Sequence, residues 1–319
     1  MSYLPVFDQQ FDVAVYGGGY AGLAAAWALV AAGQKVLLFD RRMDVAWESG
    51  RGFASQTGDY QHPLWQDFLK DLQSRHLYAN GIIDSAGAEI VAAAKLREQR
   101  SQLHTLLNAW PVQAAMAGDQ IQSVSVATKS GLRTITANCW IDASDEAALF
   151  RIAFPQSVET LRAPSWWEHR AIFLAKNSGE IPAAQLSEPL TLEKRLWKNE
   201  FTLRARAKST FRSPELLSLM AKARAALDAP LNQAVIASFS VYPLPVYEAG
   251  SAQVDIQRGN LIAANAALHH REIATLGARF QLGIEAAELA RKSTFPFDSA
   301  QETTSGTQDT GAERSRSAH

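Results

Sequence analysis

A short apolar run, three consecutive glycines and an alanine-rich segment follow one another near the start of the chain, at Val13–Tyr16, Gly17–Gly19 and Tyr20–Ala32. Four apolar residues bounded by glycines read as a buried strand, and the alanines that follow have high helix propensity. Gly33 then stands where a helix C-cap belongs, and Lys35–Phe39 supplies a second apolar run without alternation, as in the interior of a parallel sheet. The result is a strand–helix–strand unit whose turn carries Gly17, Gly19 and Gly22 in GxGxxG spacing, between a strand and a helix as that motif requires. Gly17 permits the tight turn, Gly19 lets a pyrophosphate approach the backbone, and Gly22 lets helix and strand pack closely. The helix N-terminus faces the phosphates, and Asp40, at the end of the second strand, is positioned to accept hydrogen bonds from a ribose.

Composition narrows the function classes. The 31 lysines and arginines nearly cancel 32 aspartates and glutamates, which removes the usual electrostatic motive for nucleic-acid binding. With one cysteine, Cys139, the chain has no internal disulfide, Cys-based zinc site or iron–sulfur cluster, so redox chemistry needs a borrowed cofactor. Met1–Gln10 carries no basic residue and reads as no signal peptide, and the longest apolar stretch, Leu23–Ala32, is about half a bilayer span. The expectation is a soluble, cytoplasmic protein with no membrane and no nucleic-acid partner.

Further along, Glu89–Leu107 has a helical pattern with Lys95, Arg97, Glu98 and Arg100 on its wet face. Ile121–Ala127 and Leu132–Ile141 read as strands of a hairpin turning at Lys129–Gly131. Seven of the twelve prolines fall within 162–247, where Phe201–Lys208 alternates apolar with basic residues and Glu215–Leu227 is amphipathic. Asn260–Ala264 is a last apolar strand, and Ile273, Leu276, Phe280, Ile284 and Ala287 mark a closing helix. The expected fold is α/β: a Rossmann-like parallel sheet with a β-hairpin, formed by 1–153 and 257–294, an inserted smaller α+β domain at 154–256, and a disordered tail over 295–319.

Three segments carry a family resemblance. DVAVYGGGYAGLAAAWALVAAGQKVLLFD resembles the N-terminal fingerprint of FAD-dependent oxidoreductases of the glutathione-reductase-like superfamily, in which GGGxxGLxxA is common. VSVATKSGLRTITANCWIDAS resembles the hairpin and strand that end in the family's second motif, here Ala143, Ser144 and Asp145; GNLIAANAALHH with LGARFQLGIEAAELA resembles its C-terminal strand and helix, which place a helix N-terminus, at Gly277, beside the flavin. Together these cover Phe11–Asp44, Ile121–Phe154 and Gly259–Arg291. The chain departs from the pattern at Asp145, where glycine is usual, and in the third motif, here Ala264, Asn265 and Ala266, where Asn265 either supplies a missing hydrogen bond to the cofactor or marks a site that has lost it.

The resemblance implies FAD, held by Gly17, Gly18, Gly19, Ala21, Gly22 and Asp40 together with the second and third motifs, and hydride transfer from a small-molecule substrate to the flavin with reoxidation by oxygen or another acceptor. Arg41 and Arg42 stand where relatives hold the adenosine end, or form a solvated pair. Arg51 lies in a glycine-bearing loop (Trp47–Gly52) and contacts a phosphate or flavin oxygen, or pairs with Glu48. His269 and His270 follow the third motif and accept a substrate proton, or simply hydrogen-bond backbone at a helix entry. Trp166–His169 is a substrate wall or an interdomain seam; the stripe Arg204, Arg206, Lys208 and Arg212 recognises an anion or is a solvated face. Two alternatives stay open: a non-catalytic FAD-binding subunit of a larger redox complex with a protein partner, and an NAD(P)-dependent reductase. No metal-ligand spacing is present.

Overall fold

The computed structural model describes residues 6–156, 161, 163–176, 189–208, 214–228, 234–248, 255–269 and 273–293. Strand β1 (Gln10–Tyr16), helix α1 (Tyr20–Ala31) and strand β2 (Val36–Asp40) form the opening unit. They are followed by α2 (Trp47–Gly50), α3 (Pro63–Ser74), a small hairpin of β3 (Tyr78–Ala79) and β4 (Ile82–Ile83), α4 (Ser85–Glu98) and β5 (Leu103–Leu107). Then come β6 (Trp110–Ala117), β7 (Gln120–Thr128), β8 (Gly131–Asp142) and α5 (Ala148–Ala153). The chain builds a second sheet from β9 (Trp166–Leu174), β10 (Leu190–Lys194), β11 (Glu200–Ala207), β12 (Val235–Phe239) and β13 (Leu244–Val246), with α6 (Pro214–Asp228) between β11 and β12. It closes with β14 (Gln257–Arg258), β15 (Leu261–Ala263) and α7 (Leu276–Lys292).

The first sheet has a parallel centre in the order β15-β8-β1-β2-β5, flanked by antiparallel β14, while β7 pairs with β8 and β6 with β7. Side chains alternate across it: Val13 and Val15 enter one apolar cluster with α1, α3, α4 and α7, whereas Ala14 and Tyr16 enter another with β7, β8 and α5. With apolar material on both sides of β1, β2 and the end of β8, their runs need no polar alternation.

Helix α1 is buried on nearly every side and lies against α7, where a Cβ on Gly283 would overlap the carbonyl of Ala21. It ends in paired reverse bonds, Gly33 N to Val30 O at 2.9 Å and Gln34 N to Leu29 O at 3.1 Å, with Gly33 at φ +83°, the left-handed geometry that favours glycine.

One expected element differs. The helical pattern of 89–107 ends with α4, and Leu103–Leu107 is the edge strand β5, in register with Val36–Asp40. The free edge of β2 needs backbone partners, and that demand overrides a helical spacing that α4 already satisfies. His270, Arg212 and the tail over 295–319 lie outside the described residues.

In the second sheet, ordered β10-β11-β9-β12 with β13 also on β9, one face is apolar: Ala171, Phe173, Phe201, Leu203 and Ala205 pack with Leu216, Met220 and Ala223 of α6. The opposite face presents Glu168 and Arg170 from β9 beside Arg206 and Arg204 of β11, their cross-strand partners. This polar face turns toward the first sheet, where Arg170 Nη1 donates to the carbonyl of Gly52 at 3.2 Å and Arg195 Nη2 to Ser85 Oγ at 2.7 Å.

Candidate active site

The glycine turn sits at the carboxyl end of β1, the position at which open α/β sheets bind ligands. Gly17 adopts φ +117°, and a Cβ there would lie 2.5 Å from the Ala143 carbonyl of the second motif; one on Gly22 would overlap the Gly17 carbonyl. These two glycines are thus required by close backbone approach alone. Ala21 lies in the α1–α7 contact, its carbonyl against Gly283.

The amides at the mouth of the turn are ligated by carboxylates of the chain itself. Gly18 N donates to Asp40 Oδ2, and Tyr20 N donates to Glu48 Oε1 at 3.0 Å and Oε2 at 3.2 Å. α1 has no side-chain cap from its own first residue, so Glu48, 2% exposed, serves as its anion. A Cβ on Gly19 would fall on the Glu48 carboxylate, so Glu48 fills the space that Gly19 leaves open. Glu48 is delivered by α2, whose entry residue Ala46 (φ 49°) donates its N–H to Gly18 O at 2.8 Å.

From Glu48 a chain of buried charges runs across the carboxyl ends of the strands. Arg279 Nη1 is 3.9 Å from Glu48 Oε1 and 2.9 Å from Asp145 Oδ1; Asp145 Oδ2 is 3.5 Å from Arg42 Nη2, and Arg42 Nη1 is 3.7 Å from Asp40 Oδ1. Arg42 is also clamped between Trp47 and Tyr242, at 4.0 and 5.2 Å from the ring centroids. Burial raises the Glu48 pKa to about 7, with Arg279 opposing and Asp145 adding to the rise. Burial also raises Asp40, although Arg42 and the Gly18 amide pull the other way.

Several candidates fall elsewhere. Asp40 is spent on Gly18 N and Arg42 N, the latter at 2.7 Å, because its side chain is short enough to fold back on the turn. Arg41 points outward and pairs with Glu146 at 3.3 Å, leaving Arg42 as the inward cation. Arg51 is 47% exposed and held by Asp44 at 2.5 Å and Glu89 at 3.4 Å; it does not pair with Glu48, whose carboxylate lies at α1. Gly277 is close-packed instead: its N–H donates to Thr57 O at 2.9 Å, and a Cβ would lie 2.5 Å from that carbonyl. His269 is half-buried with Nε2 3.5 Å from the Ala263 carbonyl, and Cys139 is buried, its thiol pushed up to about 12 by desolvation. Lys208 donates to Ser165 O and covers the Trp166 ring, so it leaves the stripe.

The second motif is organised by a residue that sequence reading passed over. Asp142, fully buried, accepts from Ser144 N at 3.0 Å, Ser144 Oγ at 2.6 Å, Leu149 N at 2.8 Å and Phe150 N at 3.0 Å, fixing the loop that carries Ser144 and Asp145 to the start of α5. Asn265 donates Nδ2 to Asp142 O at 3.0 Å, while its buried Oδ1 meets no donor among the described residues. Arg279 was also missed; its only sequence signal is a cation on the inward stripe of a helix otherwise lined by Leu276, Phe280 and Gly283.

Between the two sheets lies a narrow cleft lined by Glu168, Arg170, Arg204, Arg206, Tyr247 and Arg279, with Ala266 of the third motif at one wall. Glu168, 4% exposed, is shared by three guanidiniums: Arg170, Arg204 at 3.5 Å and Arg206 at 3.6 Å. Arg204 has a second partner in Glu193 at 3.1 Å. The Trp166–His169 segment and the basic stripe therefore meet at the seam, with Glu168 as the hinge of the charge pattern.

Residues 12–154, the segment holding the glycine turn and the second motif, match the family model of the FAD dependent oxidoreductases. Over that segment, a little under half of its length, the chain is similar to that family. A 40-residue stretch is 56% identical to a thiamine thiazole synthase of Desulfosudis oleivorans, covering 12% of this chain and 16% of that protein. Among solved structures, aklavinone-11 hydroxylase in complex with FAD and aklavinone superposes with a TM-score of 0.58 at 16% identity, over 88% of this chain and 62% of that one. Glycine oxidase of Bacillus cereus superposes with a TM-score of 0.58 at 14% identity, over 89% and 96%. These likenesses show the fold, and the chain spans less than two thirds of the first two proteins.

FAD is the cofactor that the matched family model names, and the residues present fit it at two points. The turn's amides already ligate carboxylate oxygens, so the seat accepts an anion, and the orphaned Asn265 Oδ1 offers an acceptor to a hydroxyl or N–H of a ligand beside the third motif. Gly17, Gly18, Gly19, Ser144 and Asn265 would hold the group, with Arg279 and Arg42 as its cations. Glu48 must yield the seat.

Proposed function

We propose that this protein catalyses FAD-dependent oxidation of a small molecule that enters the cleft between the sheets and delivers a hydride to the flavin. Bound FAD supplies the hydride acceptor; the protein contributes orientation and charge. The observation that carries this assignment is the cleft itself, whose walls combine Ala266 of the third motif and Arg279, a cation of the nucleotide seat, with the polar face of the second sheet. A substrate there is out of bulk water, which strengthens every charge contact.

The cleft also points to a substrate class. One carboxylate, Glu168, faces three guanidiniums, so an acidic group of a small substrate complements the surplus. Arg206, whose ion pair with Glu168 is the longest of the three, is the cation best placed to turn toward it. Anaerobic titration of the FAD-loaded protein with small carboxylic acids and their neutral amides tests this. Loss of the oxidised flavin absorbance with an acid and not its amide is expected; bleaching by neutral compounds alone refutes the substrate class, and absence of any flavin uptake refutes the assignment.

A further inference from the structure

The nucleotide seat of this chain is filled by one of its own side chains. In GxGxxG turns the second glycine exists so that a pyrophosphate can reach the backbone. Here the position its missing Cβ would take coincides with the Glu48 carboxylate, and the first amide of α1 is bound to both of its oxygens. Arg279, which lies between this seat and the substrate cleft, is drawn to Glu48 and Asp145.

Resting on the FAD assignment above, we propose that Glu48 is a built-in competitor for the cofactor's pyrophosphate, and that FAD binds only as Glu48 leaves the seat and hands over both the α1 amides and Arg279. The backbone around Glu48 is pinned: its carbonyl accepts from Ala54 N at 2.8 Å, and the next residue's Oγ meets Tyr20 Oη at 2.9 Å. Exchange therefore takes place by rotation of the side chain, with no rearrangement of α2. The charge at Asp145, where the family has glycine, belongs to the same device, since it holds Arg279 while Glu48 is in place.

A competitor of this kind makes cofactor affinity depend on pH. Burial outweighs the pull of Arg279 and the helix end, so Glu48 in the seat takes up a proton near pH 7, whereas a Glu48 displaced into water stays ionised down to about 4.5. The groups that face it are Arg279 from α7, Asp145 from the loop after β8, Tyr20 from α1 and, across Gly50, Glu89 from α4. Arg279 stays charged, its pKa raised by Asp145 and Glu48 against burial, and Tyr20 is raised by burial and stays neutral. Glu89 is also raised by burial, but its charge is answered by Arg51. The change thus falls to Glu48, which titrates near 7, while a pyrophosphate keeps its charge throughout.

The test is titration of the flavin-free full-length protein with FAD, followed by quenching of flavin fluorescence between pH 5 and 9, for wild type, Glu48→Gln and Glu48→Ala. For wild type, displacing Glu48 from the seat releases its proton, so the Kd is expected to rise by up to about tenfold per pH unit as pH falls below 7 and to be flat above it. Glu48→Gln keeps an acceptor for Tyr20 N but no longer titrates, and should bind with a pH-independent Kd; Glu48→Ala empties the seat and should bind at least tenfold tighter than wild type at pH 5. A flat wild-type profile, or a slope that persists in Glu48→Gln, overturns the role of Glu48 while leaving the FAD assignment intact. Failure of all three proteins to bind FAD at any pH overturns both, and if either variant does not fold, the wild-type slope alone decides.

Discussion

Replacing Arg279 with methionine removes the cation at the centre of the buried chain while nearly conserving side-chain length. Arg279 is 6% exposed and is the guanidinium beside Glu48, whereas Asp145 keeps Arg42 at 3.5 Å. The substitution therefore leaves one buried carboxylate, Glu48, without its counter-charge. Breaking a buried pair in this way costs about 3–5 kcal/mol. Converted at roughly 2–4 °C per kcal/mol, the melting temperature should fall by on the order of 10 °C.

The pH dependence has a definite sign. The Glu48 carboxyl is already raised in the folded protein, so its contribution to stability is fully present below its unfolded value of about 4.5 and is lost as pH rises through about 7. Without Arg279 the folded value rises further, so the destabilisation relative to wild type should grow by about 1.4 kcal/mol for each pH unit above 7 and shrink toward acid. Melting curves of wild type, Arg279→Met and Arg279→Met/Glu48→Gln at pH 6 and pH 9 measure this, the double variant being expected to lose the pH-dependent part. A single variant whose melting temperature matches wild type, or falls equally at both pH values, would refute the reasoning.

Other outcomes follow from local geometry. Gly22→Ala places a Cβ on the Gly17 carbonyl, and since both atoms are held by the core the expected loss is at least about 1–3 kcal/mol, read by denaturant unfolding. Asp142→Ala leaves Ser144 N, Leu149 N and Phe150 N without their acceptor, and should destabilise by several kcal/mol and lower flavin retention; a folded variant with unchanged flavin content would count against the second motif as a binding element. Arg206→Gln should raise the KM for an acidic substrate more than it lowers kcat, because it removes binding charge at the cleft wall. His269→Ala is expected to leave the rate of flavin reduction within about twofold, as the ring packs on the Ala263 carbonyl outside the cleft lining; stopped-flow reduction that slows tenfold would return it to the catalytic site.

Much of the fold was legible because it depends on local rules. Glycine spacing, alanine propensity and an unalternating apolar run determined the β1–α1–β2 unit, and alternation along Phe201–Lys208 determined both faces of β11. The same rules placed the β7–β8 hairpin and α7 and, through Gly17 and Gly22, the close-packed glycine turn at the end of β1. Periodicity failed at Leu103–Leu107, where the need of β2 for an edge partner outweighed a helical spacing.

Charge placement lay beyond such rules. Nothing adjacent in sequence tells Arg42 to turn inward and Arg41 outward, or sends Glu48 past its neighbour Arg51 to the end of α1. Those choices depend on which elements converge at the carboxyl ends of the strands: α2 brings Glu48, α7 brings Arg279 and the loop after β8 brings Asp145, from positions scattered along the chain. Glycines mark a seat from sequence alone because their constraint is their own backbone. What occupies that seat was decided only by tertiary structure, because a buried charge is stable only where folding brings it a partner.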